Sequence, residues 1–427
     1  MKYIITTLGC KVNQFETAAI EKMLSSRGHK PACGIEADVV IVNSCAVTAE
    51  SGRKSRQAIR RLMAENPGAL SALCGCYSQV NAEEAKQIGV DVIFGSGDRA
   101  AFVDALEKAY AERETQFNVD DPFSRKSIER LPGGAMEGRT RAHMKIVDGC
   151  DNYCSYCIIP YARGHVRSMP LEECAAEAAK LASEGYKEIV VTGIEISSYG
   201  IDLPEKPSLA MVIKAVASAA PEARIHIGSL EPTIVDEEFC IMLEQLGNIC
   251  PHFHLALQSG CDRTLQNMNR KYDTGRFYAA TELLRRYFPA CAISADLITG
   301  FPGESEQDHT DTLAFIEKCR FSSMHIFPYS IRPGTAAASM DGQLEKSLKN
   351  ARARQAQTVA KKMQKSYLES MLGKTLRVLF ETEKDGIWRG HSDNYCEVCA
   401  EGTQLHGVFA DVLIKELKND LLYGIII

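Results

Sequence analysis

Three cysteines, Cys150, Cys154 and Cys157, lie close together in the segment "DGCDNYCSYCIIPYARG" with the spacing C-x3-C-x2-C. Cysteine thiolates are the usual ligands of iron–sulfur clusters, and three of them can hold three irons of a [4Fe–4S] cluster. The fourth iron then has no protein ligand and can bind a small molecule. A structural zinc site fits less well, because such sites are nearly always four-coordinate. The nearest candidate for a fourth ligand, His165, is eight residues beyond Cys157.

A second set of three cysteines is spread over the N-terminal part of the chain. Cys10, Cys45 and Cys76 each follow an apolar run that predicts a strand, in the contexts "LGC", "NSC" and "CGC". The carboxyl ends of parallel strands lie along one edge of a sheet, where ligands bind. We therefore expect these cysteines to converge and to hold a second cluster with an open iron. Cys74 is an alternative third ligand, although it lies further back in its predicted strand.

The elements that must position these cysteines form three regions and a connection. Residues 1–110 alternate strand and helix patterns, which predicts an α/β domain with a doubly wound parallel sheet. Residues 111–140 are polar, contain Pro and Gly, and are interpreted as a linker. Residues 141–370 hold six strand patterns separated by helix patterns, which predicts a partial (βα)6 barrel, more open than the closed eight-stranded form. Residues 371–427 contain short strands and turns typical of a small β-barrel.

The composition of the chain limits the classes of protein to which it can belong. The chain has 427 residues, a formal net charge of -6 and 16 cysteines. In a reducing compartment so many cysteines are not a disulfide framework, and most are expected to be small core residues. No stretch approaches the roughly 18 apolar residues of a transmembrane helix, and the first residues are too short for a signal-peptide core. These features predict a cytoplasmic protein with no membrane contact, which binds any polyanion through local basic patches.

With Tyr156 before its last cysteine, the C-x3-C-x2-C segment resembles the radical S-adenosylmethionine signature. The resemblance implies that the open iron binds S-adenosylmethionine, and that an electron from the cluster splits it to a 5′-deoxyadenosyl radical. The two cysteine triads together resemble the methylthiotransferases, which insert sulfur into an unactivated C–H bond and deliver it methylated. The resemblance covers nearly the full chain, including "TLGCKVNQFET", "VNSCAVT", "TGIEISSYG", "GSLEP", "DLITGFPGE" and "FPYSIRPGT".

Residues next to the first cysteine indicate the branch of this family. "GCKVNQFET" is similar to the branch that acts on N6-threonylcarbamoyladenosine beside the tRNA anticodon, which it converts to the 2-methylthio derivative. Two alternatives keep the chemistry but change the substrate to isopentenyladenosine in tRNA or to an aspartate of a ribosomal protein. A third alternative is a non-catalytic iron–sulfur protein that binds RNA, against which both complete triads argue.

The resemblance also implies cofactors and partners. These are two [4Fe–4S] clusters, S-adenosylmethionine, tRNA, an electron donor such as flavodoxin or ferredoxin, and a sulfur source. One S-adenosylmethionine methylates sulfur held at the cluster of Cys10, Cys45 and Cys76, and a second supplies the radical that takes hydrogen from C2 of the adenine. The C-terminal β segment resembles the family's TRAM domain, an RNA-binding barrel.

Further residues are predicted to contact the ligands. We expect S-adenosylmethionine to meet the cluster loop and the strand ends of the barrel at Tyr156, Gly193, Glu195, Glu231 and Gln258. Among these, glycine lets a ligand approach the backbone closely.

RNA contacts are expected from arginine and aromatic side chains. Arg163 and Arg167 flank the cluster loop, and a guanidinium matches phosphate geometry. In the C-terminal segment, Trp388 and Tyr395 are candidate stacking surfaces for bases, and the alternative for either is a place in the core of the barrel.

Overall fold

The structure is a computed structural model that describes residues 1–32, 37–132 and 140–427. The end of the predicted linker, residues 133–139, therefore lies outside the described residues. No helix in the described ranges is long and apolar enough to cross a membrane.

In the residues that the structure describes, eighteen strands and thirteen α-helices follow one another along the chain. The strands are β1 Lys2–Thr7, β2 Lys30–Pro31, β3 Val39–Ser44, β4 Leu70–Gly75, β5 Val92–Phe94, β6 Gln116–Asn118, β7 Arg141–Asp148, β8 Arg167–Ser168, β9 Glu188–Gly193, β10 Arg224–Ile227, β11 His252–Gln258, β12 Ala292–Thr299, β13 Ser323–Pro328, β14 Thr375–Lys384, β15 Ile387–Ser392, β16 Glu397–Glu401, β17 Phe409–Lys418 and β18 Leu421–Ile426. The helices are α1 Lys11–Ser26, α2 Ala49–Glu65, α3 Cys76–Val80, α4 Ala82–Lys86, α5 Arg99–Glu112, α6 Ile159–Arg163, α7 Leu171–Ser183, α8 Leu209–Ala219, α9 Glu237–Glu244, α10 Asp262–Asn267, α11 Thr274–Tyr287, α12 Glu306–Cys319 and α13 Lys346–Glu369.

The first sheet is parallel and six-stranded, in the order β2-β1-β3-β4-β5-β6. All residues of β3 and β4 are buried, as expected for strands that helices cover on both faces. Helices α1 and α5 pack on one face and α2 on the other. The predicted linker differs from expectation, because its residues Gln116–Asn118 extend this sheet beside β5. The doubly wound domain predicted from the sequence is confirmed.

The central region is an open barrel of parallel strands. Strands β7, β9 and β10 form one parallel group and β11, β12 and β13 another, with the short β8 antiparallel at the edge of β7. Parallel bridges from Ile225 to Ile249 and from Leu230 to Leu255 join the two groups. Within the described residues, β7 and β13 do not pair. The predicted partial barrel of six βα units is therefore confirmed.

The C-terminal strands close into a small barrel in the order β14-β15-β16-β18-β17, as predicted. This barrel is docked on the amino ends of the central strands. Arg224, the first residue of β10, donates to the carbonyl oxygen of His391 at 3.0 Å and to Asp393 at 3.1 Å. Arg141, the first residue of β7, pairs with Glu381 at 2.6 Å.

The two aromatic residues predicted to stack on RNA both have structural contacts here. The Tyr395 ring stacks on His252 with 4.9 Å between ring centroids and lies over the end of the central barrel. Tyr395 is half-buried, and because protein covers this face of its ring, that face is not available for the predicted stacking on RNA bases. Trp388 is half-buried, and its indole Nε1 donates to the carbonyl oxygen of Gly402 at 3.1 Å.

Candidate functional site

The carboxyl edge of the first sheet brings one cysteine triad together. Cys10 precedes α1 just after β1, Cys45 directly follows β3, and Cys76 begins α3 directly after β4. Strands β1, β3 and β4 are neighbours in the sheet. Cys10 and Cys45 both interact electrostatically with Cys76. The three side chains therefore share one site, which is the arrangement expected from the sequence.

Two glycines make room for this site. Gly9 has a φ of +105°, and a Cβ there would lie 2.8 Å from Cys45 Sγ. Gly75 has a φ of +100°, and a Cβ there would lie 2.5 Å from the carbonyl oxygen of Ser44. Since both positions require a left-handed backbone and no side chain, the "GC" pairs at Cys10 and Cys76 are explained by local sterics.

Cys74 lies in a different environment from Cys76. It is fully buried in the core that β4 shares with α1 and α5, whereas Cys76 belongs to the core on the other face of the sheet. Burial raises the pKa of the Cys74 thiol to about 11. Its surroundings are those of an inert core residue.

We expect Cys74→Ala to keep the full iron content of the reconstituted protein, because its thiol points into the core. Cys76→Ala should lose about half of the iron, since one of two similar clusters would lack a ligand. Iron and sulfide analysis of the two variants checks this. Loss of iron in Cys74→Ala with Cys76→Ala unaffected would reverse the assignment.

The second triad lies in the loop from β7 to α6. The Cys150 amide donates to the carbonyl oxygen of Gly164 at 3.0 Å, and the Cys157 amide donates to that of Cys154 at 2.9 Å. Cys154 and Cys157 interact electrostatically with Cys150. Burial raises the pKa of Cys150 and raises that of Cys157 to about 12. A bound metal ion deprotonates such thiols outright. The three cysteines of this loop are therefore better suited to binding iron than to existing as free thiolates.

Each triad has one buried arginine beside a cysteine sulfur. Arg163 Nε lies 3.2 Å from Cys76 Sγ, and Arg270 Nη1 lies 3.1 Å from Cys154 Sγ. A neighbouring guanidinium stabilises the thiolate form that binds metal. Each site therefore offers three cysteine sulfurs and one fixed cation beside them, which fits an iron–sulfur cluster. Arg270 was not predicted, because nothing in the local sequence "MNRKY" has ligand spacing.

Three of the residues predicted to contact S-adenosylmethionine surround the triad of the central barrel. Arg270 pairs closely with Glu231 through Nη2, and its Nη1 lies 3.5 Å from the Tyr156 hydroxyl. Glu195 accepts from the Ser197 amide at 3.0 Å and interacts electrostatically with Cys150. Burial, together with the charge of Glu231, raises the pKa of Glu195. This corner holds a cavity of about 140 Å³ lined by Cys154, Glu231 and Arg270 among others.

Gly193 and Gln258, also predicted as cofactor contacts, are explained in part by the backbone. A Cβ at Gly193 would lie 2.4 Å from Val147 Cγ1, so this glycine allows β9 to approach β7. Gln258 ends β11 with a φ of +64°, where the pairing with β12 changes register.

Arg163 and Arg167, predicted to contact RNA phosphate, are both buried. Arg163 has no exposed surface and donates to Glu16 and, at 3.0 Å, to Asn13 Oδ1. Arg167 donates to the carbonyl oxygen of His165 and lies 3.9 Å from Asp148. The predicted phosphate contacts are therefore wrong, because these guanidinium groups bind the protein itself.

Glu16 is the centre of a buried ionic network between the first domain and the central barrel. Its carboxylate forms ion pairs with Arg99 Nη2 of α5 at 2.8 Å, with Lys145 Nζ of β7 at 3.4 Å, and with Arg163 of α6. Burial alone would raise the pKa of Glu16, but Arg163, Arg99 and Lys145 lower it to about 2. The carboxylate is therefore ionised, and it joins the two domains that carry the triads.

Comparison with known proteins agrees with this architecture. Residues 2–95 match the model of "Uncharacterized protein family UPF0004", and residues 144–316 match the model of the radical SAM superfamily. The threonylcarbamoyladenosine tRNA methylthiotransferase MtaB of Bacillus subtilis is 36% identical, over 97% of this chain and 92% of the relative. The chain belongs to the radical S-adenosylmethionine methylthiotransferase family. Membership implies a [4Fe–4S] cluster and S-adenosylmethionine.

Other relatives fall on two branches of this family. MtaB of Thermotoga maritima is also 36% identical, over 97% of this chain and 95% of that relative. A tRNA-2-methylthio-N(6)-dimethylallyladenosine synthase of Thermoanaerobacter sp. is 32% identical, over 98% of this chain and 89% of that relative. Among solved structures, the radical S-adenosylmethionine methyltransferase TsrM of Kitasatospora setae has a TM-score of 0.55 over 79% of this chain and 77% of its own, at 14% identity. That likeness concerns the fold alone.

Proposed function

We propose that this protein is a tRNA methylthiotransferase that converts N6-threonylcarbamoyladenosine beside the anticodon to its 2-methylthio derivative. The observation that carries the proposal is the likeness of nearly the whole chain to four threonylcarbamoyladenosine tRNA methylthiotransferases, at 34–36% identity. The dimethylallyladenosine synthases match at 31–33%. The same chemistry on isopentenyladenosine is the second candidate.

The cofactor sites proposed for this reaction are the two triads. Cys150, Cys154 and Cys157 would hold the cluster that binds S-adenosylmethionine, and Cys10, Cys45 and Cys76 would hold an auxiliary cluster. When bound, these groups supply the radical, the methyl group and the sulfur. The proposal of a second cluster is supported by three cysteines at neighbouring strand ends and by Arg163 at 3.2 Å from Cys76 Sγ.

The protein's own residues would position and shield these groups. Arg270 contacts both Cys154 and Glu231, so it would fix the carboxylate beside the cluster. Glu195 and Glu231 would receive the ammonium or ribose of S-adenosylmethionine, with Tyr156, Gly193 and Gln258 around them. Burial of the thiols of Cys76 and Cys157 would exclude water from both clusters.

We propose the following domains and partners. Residues 1–110 carry the auxiliary cluster, 141–370 form the radical domain, 111–140 connect them, and 371–427 form a TRAM-like barrel that binds tRNA. An electron donor such as flavodoxin or ferredoxin and a sulfur source complete the reaction, in the cytoplasm where tRNA is modified. Phosphate contacts predict that tRNA binding weakens steeply as salt rises.

We expect a strain that lacks this protein to lose the 2-methylthio derivative of threonylcarbamoyladenosine from its tRNA and to accumulate the unmethylthiolated nucleoside. Liquid chromatography with mass spectrometry of digested tRNA measures both. Restoration by the wild-type chain, but not by a Cys150→Ala chain, is the control. Loss of 2-methylthio-isopentenyladenosine, or of a modified ribosomal-protein aspartate, would instead assign another branch.

A further inference from the structure

Lys11 directly follows Cys10, yet its side chain faces the interior of the central barrel. It interacts electrostatically with one residue on each of five barrel strands: Arg141 on β7, Glu188 on β9, His226 on β10, His252 on β11 and His325 on β13. A single group that faces five strands of one barrel lies inside the barrel or over one of its ends. Helix α1, which Lys11 begins, packs against β7 and β9.

The charged and histidine side chains that interact with Lys11, here called the Lys11 cluster, are polar and do not form a packed apolar core. The side chain of Lys11 is exposed to solvent. In the described parts of the chain, Lys11 has no hydrogen bond and no ion pair. A long, solvent-exposed side chain beside this cluster, without a hydrogen-bond partner in the described residues, is free to bind a ligand.

The carboxylates in and beside the Lys11 cluster, Glu188 and Asp296, already have protein partners. Glu188 pairs with Arg224 at 2.7 Å and with Arg141 at 2.9 Å. Asp296 lies 3.3 Å from His254 Nε2 and 3.1 Å from His325 Nδ1. Within the described residues, Lys11 is therefore an ammonium group beside this cluster without an ion pair of its own, and it can bind an anionic ligand.

The position of Lys11 relates this charge to the reaction. Consecutive Cα atoms are about 3.8 Å apart, so the lysine begins one residue from a ligand of the proposed auxiliary cluster. A purine whose C2 approaches that cluster presents N1 and the N6 substituent along the same edge. The threonylcarbamoyl substituent ends in a carboxylate, whereas the isopentenyl substituent is apolar.

We propose that Lys11 binds the carboxylate of the threonylcarbamoyl group and selects an anionic N6 substituent over an apolar one. This inference rests on the proposed function and names the residue that decides its substrate. A charged hydrogen bond forms with the carboxylate. An apolar substituent would instead remove water from an unpaired ammonium, which is unfavourable.

The test compares Lys11→Met with the wild-type holoenzyme on two tRNAs. One carries threonylcarbamoyladenosine and the other its methyl ester, which lacks the negative charge. We expect Lys11→Met to lower kcat/KM about 10- to 100-fold on the acid, and to change it much less on the ester. Lys11→Arg should restore part of the loss. Lys22→Met, on the exposed face of the same helix, is the matched control and should behave as wild type.

Two outcomes would overturn the inference: no loss of kcat/KM on the acid, or an equal loss on the acid and the ester. Iron content of each variant shows whether a loss comes from a damaged auxiliary cluster, and an equal loss with less iron counts against the inference. Failure of the proposed function is a separate result, because the wild-type protein itself would then leave threonylcarbamoylated tRNA unmodified.

Discussion

Replacing Cys150, Cys154 and Cys157 together by alanine should abolish cleavage of S-adenosylmethionine and leave about half of the iron and sulfide in the protein. These cysteines lie in one loop after β7, beside Glu195 and Arg270. The remaining iron should be bound at the carboxyl edge of the first sheet, because this loop contributes no ligand to that site. Iron and sulfide analysis after anaerobic reconstitution measures the first effect, and release of 5′-deoxyadenosine measures the second.

The matched control is the triple variant of Cys10, Cys45 and Cys76. It should also keep about half of the iron, but it should still cleave S-adenosylmethionine while failing to methylthiolate tRNA. The two variants together separate radical formation from sulfur transfer. If the first variant held no iron, or the full complement, the assignment of two independent sites would be wrong.

Glu16→Gln should lower the free energy of unfolding by about 3–5 kcal/mol, since removing one partner of a buried ion pair leaves uncompensated charge. Glu16 is fully buried and faces Arg99, Lys145 and Arg163. Glutamine keeps the shape of the side chain but removes the charge that these cations share. Denaturant unfolding of the cluster-free protein, followed by circular dichroism, measures the change.

Glu65→Gln is the matched control for this loss. Glu65 ends α2 with half of its side chain exposed and lies 3.7 Å from Arg61. Exposed ion pairs of this kind contribute about 0.5 kcal/mol or less. A Glu16→Gln protein as stable as Glu65→Gln would show that the buried network does not hold the domains together.

The cysteine sites were predictable because the topology of parallel sheets is regular. Each strand of the first sheet ends at the same edge, so Cys10, Cys45 and Cys76 converge although helices separate them in sequence. The loop triad after β7 was predictable from spacing alone. The open barrel and the C-terminal barrel likewise follow from repeated strand and helix patterns.

The arginine environments were not predictable, because distant residues decide them. Arg163 pairs with Glu16, 147 residues away, and this pairing turns an expected RNA contact into a buried one. Tyr395 stacks on His252 for the same kind of reason: the docking of one domain on another covers one face of its ring. Strand β6 was missed because three residues in a polar segment show no periodicity; its position beside β5 makes it a strand.

The ionic network around Glu16 also bears on motion during the catalytic cycle. Domains of one chain that meet through small polar interfaces usually rotate relative to each other. Here a hinge opening would separate Lys145 and Arg163 of the central domain from a fully buried carboxylate of the first domain. The distance between the two triads should therefore stay constant through the cycle. The adenine must then reach both triads from a single bound position, and spent S-adenosylmethionine must be exchanged without separation of these two domains.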